Sequence, residues 1–201
     1  MGEQVTRPAK TVAVFCGSAS GEGFEYHAEA FRMGQALVEA GHRIVYGGGR
    51  VGLMGAVADG CLKAKGHITG IMPRALVERE IAHKGLSELI LVENMHERKA
   101  EMADRCAAFI VLPGGSGTLE EFFEQWTWGQ IGYHQKPIGL LNINGYFNTL
   151  MKMLDQMVEC GFLSNTHRNM LIESDDARVI LEGFATYQHP PVKGYSKAGG
   201  D

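Results

Sequence analysis

Residues 113–121 read Pro-Gly-Gly-Ser-Gly-Thr-Leu-Glu-Glu, and they join an anion-binding backbone to an acid. Gly114, Gly115 and Gly117 let the chain turn sharply and leave no Cβ between its N–H groups and a ligand. A helix starting at Thr118 adds unpaired donors and the positive end of its dipole, which suits a phosphate. Glu121 falls in that same positive turn, where a carboxylate needs a task other than facing the phosphate. Two readings are open. Thr118 and Glu121 fit a capping box, which would hold the helix start and do nothing more. A cap does not need glycine at three of four positions, whereas close approach of a ligand does.

On a helix from Thr118, Glu121 shares a face with Gly117, Thr118 and Gln125. Glu120 and Glu124 form another row, read as solvated or interface-facing, and Phe122, Phe123 and Trp126 form the buried stripe. Met95-His96-Glu97-Arg98-Lys99 supplies cations at the start of another helix, where the dipole disfavours them. They are either a solvated basic pair neutralised by Glu97 and Glu101, or groups brought beside the glycine turn. There Arg98 would grip a phosphate or orient Glu121, and Lys99 would add a point charge.

Gly47–Gly52 matches GxGxxG but follows the second strand, and the next strand ends Met72-Pro73 with no ribose-binding acid. It reads equally well as a tight turn or as a second phosphate-facing loop. The chain has no GxxxxGK[ST] and no GxSxG, and its eight histidines lack ligand spacing. No metal site and no cofactor are expected.

The elements that would position these groups alternate. Strands are expected at Thr11–Cys16, Arg43–Tyr46, His67–Met72, Glu88–Val92, Ala107–Leu112 and Lys136–Leu141. Helices are expected at Phe24–Ala40, Leu53–Lys65, Glu97–Cys106, from Thr118, at Phe147–Cys160 and at Ala177–Tyr187, with a lid-like helix or loop over Arg74–Gly85. This pattern predicts an α/β fold, a Rossmann-like doubly wound parallel sheet with helices on both faces and ligands at the carboxyl ends of the strands. One domain is expected over 11–188, with a flexible N-terminus (1–10) and a flexible tail (189–201).

The chain has 201 residues and a net charge of −4, without the basic footprint of a nucleic-acid binder. Its four cysteines show no CxxC spacing and read as reduced thiols. The N-terminus lacks the apolar core of a signal peptide, and no apolar run reaches membrane-spanning length. A cytoplasmic protein is expected.

Pro113–Glu121, Gly47–Gly55 (GGGRVGLMG) and Met95–Lys99, three motifs whose occurrence together in order makes the likeness specific, resemble the LOG family. These are the cytokinin riboside 5′-monophosphate phosphoribohydrolases, often labelled lysine decarboxylases. The likeness runs from the first strand to the helix ending near Cys160, takes in KPIGLLNINGYFNTL at 136–150, and stops before the tail. Nothing in the sequence points to decarboxylation through a pyridoxal Schiff base. The resemblance implies hydrolysis of the N-glycosidic bond of an N6-modified AMP, giving free base and ribose 5-phosphate.

It also implies that Glu121 is the catalytic carboxylate and that Arg98 positions it and the sugar. Lys99, Gly114, Gly115, Ser116, Gly117, Thr118, Leu119 and Glu120 would hold the nucleotide, joined by Ser18, Gly48 and Met95. Glu80 matches an acid that faces the base, and Thr127 a further contact. Homodimers or larger assemblies are implied. Asp104 is a candidate for protonating the departing purine, and Met72, Met95 and Trp126 for an N6 pocket. The alternatives are a non-catalytic nucleotide or molybdenum-cofactor carrier, and a broader purine or pyrimidine nucleotide nucleosidase.

Overall fold

In the computed structural model, which describes residues 10–77 and 82–192, seven strands form one sheet. They are β1 (Thr11–Phe15), β2 (Arg43–Tyr46), β3 (Ile68–Pro73), β4 (Glu88–Val92), β5 (Ala108–Val111), β6 (Ile138–Leu141) and β7 (Leu171–Ser174). Their order is β4-β3-β2-β1-β5-β6-β7, and every neighbouring pair is parallel. The helices are α1 (Phe24–Glu39), α2 (Gly52–Lys63), α3 (Met95–Arg105), α4 (Ser116–Gln130), α5 (Asn148–Glu159), α6 (Asn165–Arg168) and α7 (Ala177–Thr186).

Side chains alternate across each strand, so β1 feeds two cores. Val12 and Val14 join Ile44, Tyr46, Met33 and Val57 on the face covered by α1, α2 and α7. Ala13 and Phe15 join Val45, Phe109, Phe122 and Trp126 on the face covered by α3, α4 and α5. Burial on both faces is why the central strands read as continuous apolar runs.

From β1 the chain winds outward through β2 and β3 to β4, then returns to lay β5 on the other side of β1. Strand order therefore reverses between β1 and β5, and a crevice opens at their carboxyl ends. The expected Rossmann-like fold is thus the observed one.

Two expectations change. β7 is a strand the sequence did not announce, because a short edge element with Ile172 and Ser174 half-buried and Glu173 exposed lacks an apolar run. α4 begins at Ser116 with Gly115 as its N-cap, so Thr118 is already inside the helix and does not cap it. Within the stretch expected as a lid-like helix or loop, Arg74–Leu76 forms a short 3-10 turn, and Gly49 bridges Ala82 beyond it. The stretch between them, with Glu80, lies outside the described residues.

At the chain ends, Lys10 extends β1, its carbonyl accepting from the Arg43 N–H at 3.1 Å. The rest of the expected flexible N-terminus, residues 1–9, lies outside the described residues, as do residues 193–201. The start of the expected flexible tail is instead docked: His189 Nε2 donates to the Gly129 carbonyl at 3.1 Å.

Candidate active site

The crevice starts where β1 and β5 end. The Leu112 N–H donates to the Phe15 carbonyl (2.9 Å) and the Gly17 N–H to the Pro113 carbonyl (3.0 Å), tying the strand ends together. Beyond this tie the chains part, Ser18–Gly21 to one side and Gly114-Gly115 into α4. A Cβ on Gly114 would lie 2.1 Å from Thr118 Oγ1 and 2.8 Å from the Gly17 nitrogen, so internal packing demands glycine there. A Cβ on Gly115 or Gly117 would meet no atom within 4 Å. Their backbone borders open space at the start of α4, whose N-cap makes no side-chain hydrogen bond. An exposed first turn with uncapped donors is what an anion needs.

The real side-chain cap belongs to α3. Asn94 accepts from the Glu97 N–H (2.9 Å), and Glu97 accepts in return from the Glu93 N–H (2.9 Å) and from Asn94 Nδ2 (3.0 Å). Glu97 thus serves the helix start instead of neutralising Arg98. The Arg98 side chain is buried, with the residue 6% exposed. Nη1 lies 3.6 Å from Met95 Sδ, and Nε has no hydrogen-bond partner among the described residues. The guanidinium fits only because residue 47 is glycine, since a Cβ there would come within 1.8 Å of Nη2. A buried cation with an unsatisfied donor is costly unless an anion joins it.

The charges of Arg98 and Glu121 both act on Cys16, at the end of β1. Burial holds its thiol protonated far above the ordinary range, the Glu121 charge adds to that, and the Arg98 charge opposes it. Both charges therefore bear on the carboxyl end of β1. Glu121 sits in the second turn of α4, partly exposed, on the helix that leads out of the glycine turn.

Lys99 has two carboxylate partners on α4. It is 4% exposed, and its Nζ donates to Glu120 Oε1 (2.5 Å) and Glu124 Oε1 (2.8 Å). Burial pulls its pKa down, and the bonds to the two carboxylates more than offset this, leaving it above the usual lysine value. Glu120, which stays exposed, and Glu124, which is half-buried, thus join Lys99 in stapling α3 to α4.

The other candidates divide. Ser18, Gly114 and Gly115 line the crevice, Ser116 and Gly117 follow exposed in the first turn of α4, Thr118 is buried against Gly114, and Met95 is exposed beside Arg98. Gly48, at φ +84°, packs towards Gly70 and Met72, and its carbonyl accepts from the His83 N–H. The Leu119 side chain joins the core, so any contact it makes is through backbone. Thr127 is exposed and lies nine residues along α4 from Thr118, ~13 Å by helical rise, so one chain does not bring it to the crevice. Met72 and Trp126 are buried core. Asp104 is exposed on α3, ~9 Å beyond Arg98 and away from the strand ends.

Two residues went unforeseen. Tyr26 and Tyr146 meet edge to face (centroids 6.2 Å apart) and wall a cavity of about 640 Å³ over Gly17, Ser18, Gly114 and Gly115. Tyr146 follows directly on the turn at the carboxyl end of β6, and that placement was the available signal. A hollow of about 810 Å³ lined by Lys10, His42, Pro137 and Tyr187 lies at the opposite, amino end of the strands. It is remote from Arg98 and Glu121.

A family model described as "Possible lysine decarboxylase" matches residues 54–184. The cytokinin riboside 5′-monophosphate phosphoribohydrolase LOG7 of Arabidopsis thaliana is 42% identical over 186 residues, covering 92% of this chain and 86% of that protein. The chain belongs to the LOG family.

Other LOG-family relatives agree. LOG1 of the same plant is 43% identical over 178 residues, 89% of this chain and 84% of that one. The probable phosphoribohydrolase LOGL5 of Oryza sativa subsp. japonica is 44% identical over 182 residues, 90% and 74% of the two chains. Among solved structures, the molybdenum cofactor binding protein of Rippkaea orientalis superimposes with a TM-score of 0.63 at 21% identity, over 88% of this chain and 95% of that one. The molybdenum cofactor carrier protein of Chlamydomonas reinhardtii gives 0.67 at 16%, over 87% and 95%. At such identities the likeness is one of fold, so the LOG assignment rests on the closer relatives.

Proposed function

We propose that this LOG-family chain hydrolyses the N-glycosidic bond of an adenosine 5′-monophosphate bearing an N6 substituent, releasing the free base and ribose 5-phosphate. The observation that carries this reading is the buried Arg98 guanidinium, packed on Gly47 with its Nε unpartnered among the described residues, at the same end of the sheet as the open glycine turn that leads to Glu121. The relatives named as phosphoribohydrolases support it.

Cleavage of the C1′–N9 bond leaves an oxocarbenium-like sugar, which a carboxylate beside C1′ stabilises. Glu121 fills that role and takes the proton of the attacking water, a step worth ~10²–10⁴-fold. The electron pair of the broken bond leaves with the purine, which acquires a proton. Arg98 orients Glu121 and the sugar. The 5′-phosphate sits on the N–H groups at the start of α4, so binding energy remote from the reacting bond holds the ribose in place. Lys99 acts by holding Glu120 and Glu124, and Glu80 and Thr127 are assigned to the base side. We place the enzyme in the cytoplasm as a single-domain subunit of a homodimer or larger assembly. Among the described residues no helix is long and apolar enough to cross a membrane.

The test is Glu121→Gln assayed for free base with AMP, isopentenyladenosine monophosphate, GMP and CMP. Base release should vanish while nucleotide binding persists. Full turnover in this variant removes Glu121 from the mechanism, and equal rates on all four nucleotides in the wild type make the enzyme a general nucleosidase.

A further inference from the structure

Tyr146 stands on a turn that is fixed from below. Asn142, buried at the end of β6, accepts from the Phe147 N–H (2.7 Å) and donates to Asn148 Oδ1 (2.8 Å) and Glu173 Oε1 (2.5 Å). Between Asn142 and Phe147 the chain makes a tight turn with Asn144 (φ 52°) and Gly145 (φ 72°) in the left-handed region. The ring of Tyr146 is held edge-on by Tyr26 and by Phe147. Although the residue is 42% exposed, its hydroxyl is not left to solvent: it donates to the Gly114 carbonyl at 2.5 Å.

That carbonyl belongs to the peptide joining two glycines at the candidate anion site. No peptide bond among the described residues is cis, so the Gly114 C=O and the Gly115 N–H point in opposite directions. A peptide between two glycines rotates as a unit at little steric cost, because neither flanking residue has a Cβ. Rotated, it would present a carbonyl oxygen to a bound phosphate in place of a donor. We infer that Tyr146 is a positioning residue, whose hydroxyl locks the Gly114–Gly115 peptide with its N–H turned towards the bound anion. The hydroxyl thereby sets the preference for ligands carrying a 5′-phosphate. This rests on the reading of the glycine turn as the phosphate site, and it predicts an effect confined to the phosphate end of the ligand.

The experiment compares wild type with Tyr146→Phe, which keeps the ring and its aromatic contacts, with thermal melting to check the fold. Calorimetric titration with inorganic phosphate and with ribose 5-phosphate is followed by AMP kinetics and inhibition by free adenine. Loss of one hydrogen bond should weaken binding of both phosphates and raise KM for AMP by about 3- to 10-fold. The kcat should stay within about twofold and adenine inhibition should not change, because the loss is of uniform binding. Equal phosphate binding by the two proteins overturns the inference, as does a fall in kcat at unchanged KM. A wild type that binds phosphate more tightly than Tyr146→Phe yet releases no base would leave the inference standing and remove the enzymatic reading.

Discussion

The Arg98 guanidinium is held by what its neighbours lack. Gly47 offers no Cβ, and Nη2 occupies the room that would otherwise be filled. Gly47→Ala should therefore displace the guanidinium without unfolding the chain, because the atom that must move is the end of a flexible side chain. A displacement of ~1 Å in a positioning group costs about 100-fold in rate, so base release from AMP should fall by that order while the melting temperature holds. A variant with wild-type turnover would mean that Arg98 does not act from this position. His134 makes a second prediction at this scale. Burial first, and the nearby Lys136 charge after it, push its pKa from 6.5 down to about 4, and its Nδ1 accepts from the Lys136 N–H at 3.2 Å. Between pH 6.5 and about 4 the unfolded chain binds a proton that the folded chain refuses. Stability should accordingly decline as pH falls through that window. Urea midpoints measured across it should flatten in His134→Gln.

At the scale of elements, the staple between α3 and α4 adjoins the two groups to which we assign the chemistry, since Arg98 precedes Lys99 and Glu121 follows Glu120. Removing the buried cation leaves the Glu120 and Glu124 carboxylates facing each other, whereas removing exposed Glu120 leaves Lys99 with Glu124. Lys99→Met should thus destabilise by roughly 3 kcal/mol, and Glu120→Gln by well under half of that. Chemical denaturation of both variants checks the order. The same region shows where reading by element stops. Buried strands such as Ala108–Val111 were legible because apolar β-branched runs have few other uses. A capping box was one of two readings of Thr118 and Glu121, but α4 has no side-chain cap, whereas Asn94 and Glu97 do cap α3. Both pairs satisfy the same spacing. What separates them is that Gly115 lets α4 begin before Thr118, a backbone event with no side-chain signature.

The molecule as a whole places its candidate chemistry where strand order reverses, and this much followed from alternating strands and helices. Arg98 and Glu121 were legible as residues that follow strand ends, but β4 is an edge strand four places from β5, and it is α3 that carries Arg98 back to Gly47 at the end of β2. The partners of Lys99 were not legible, since an ion pair between helices depends on how two amphipathic cylinders rotate against the sheet. Tyr146 was missed for a related reason: its hydroxyl reaches across from β6 to the turn after β5. If the crevice binds nucleotide independently of turnover, AMP should raise the melting temperature of wild type and of Glu121→Gln alike. At 100 times the dissociation constant the gain is about 2.7 kcal/mol. A shift in wild type alone would tie Glu121 to binding instead of to the chemical step.

The four thiols also differ in reach. Cys16, Cys61 and Cys106 are buried, with the last two pushed up to about 11, and Cys160 is exposed at the end of α5. α5 starts beside the carboxyl end of β6 and runs ~18 Å back across the sheet, which puts Cys160 at the far pole from the crevice. A maleimide fluorophore added to the unmodified protein should couple once per subunit. It would report tumbling or assembly without a single engineered residue and without shading the nucleotide.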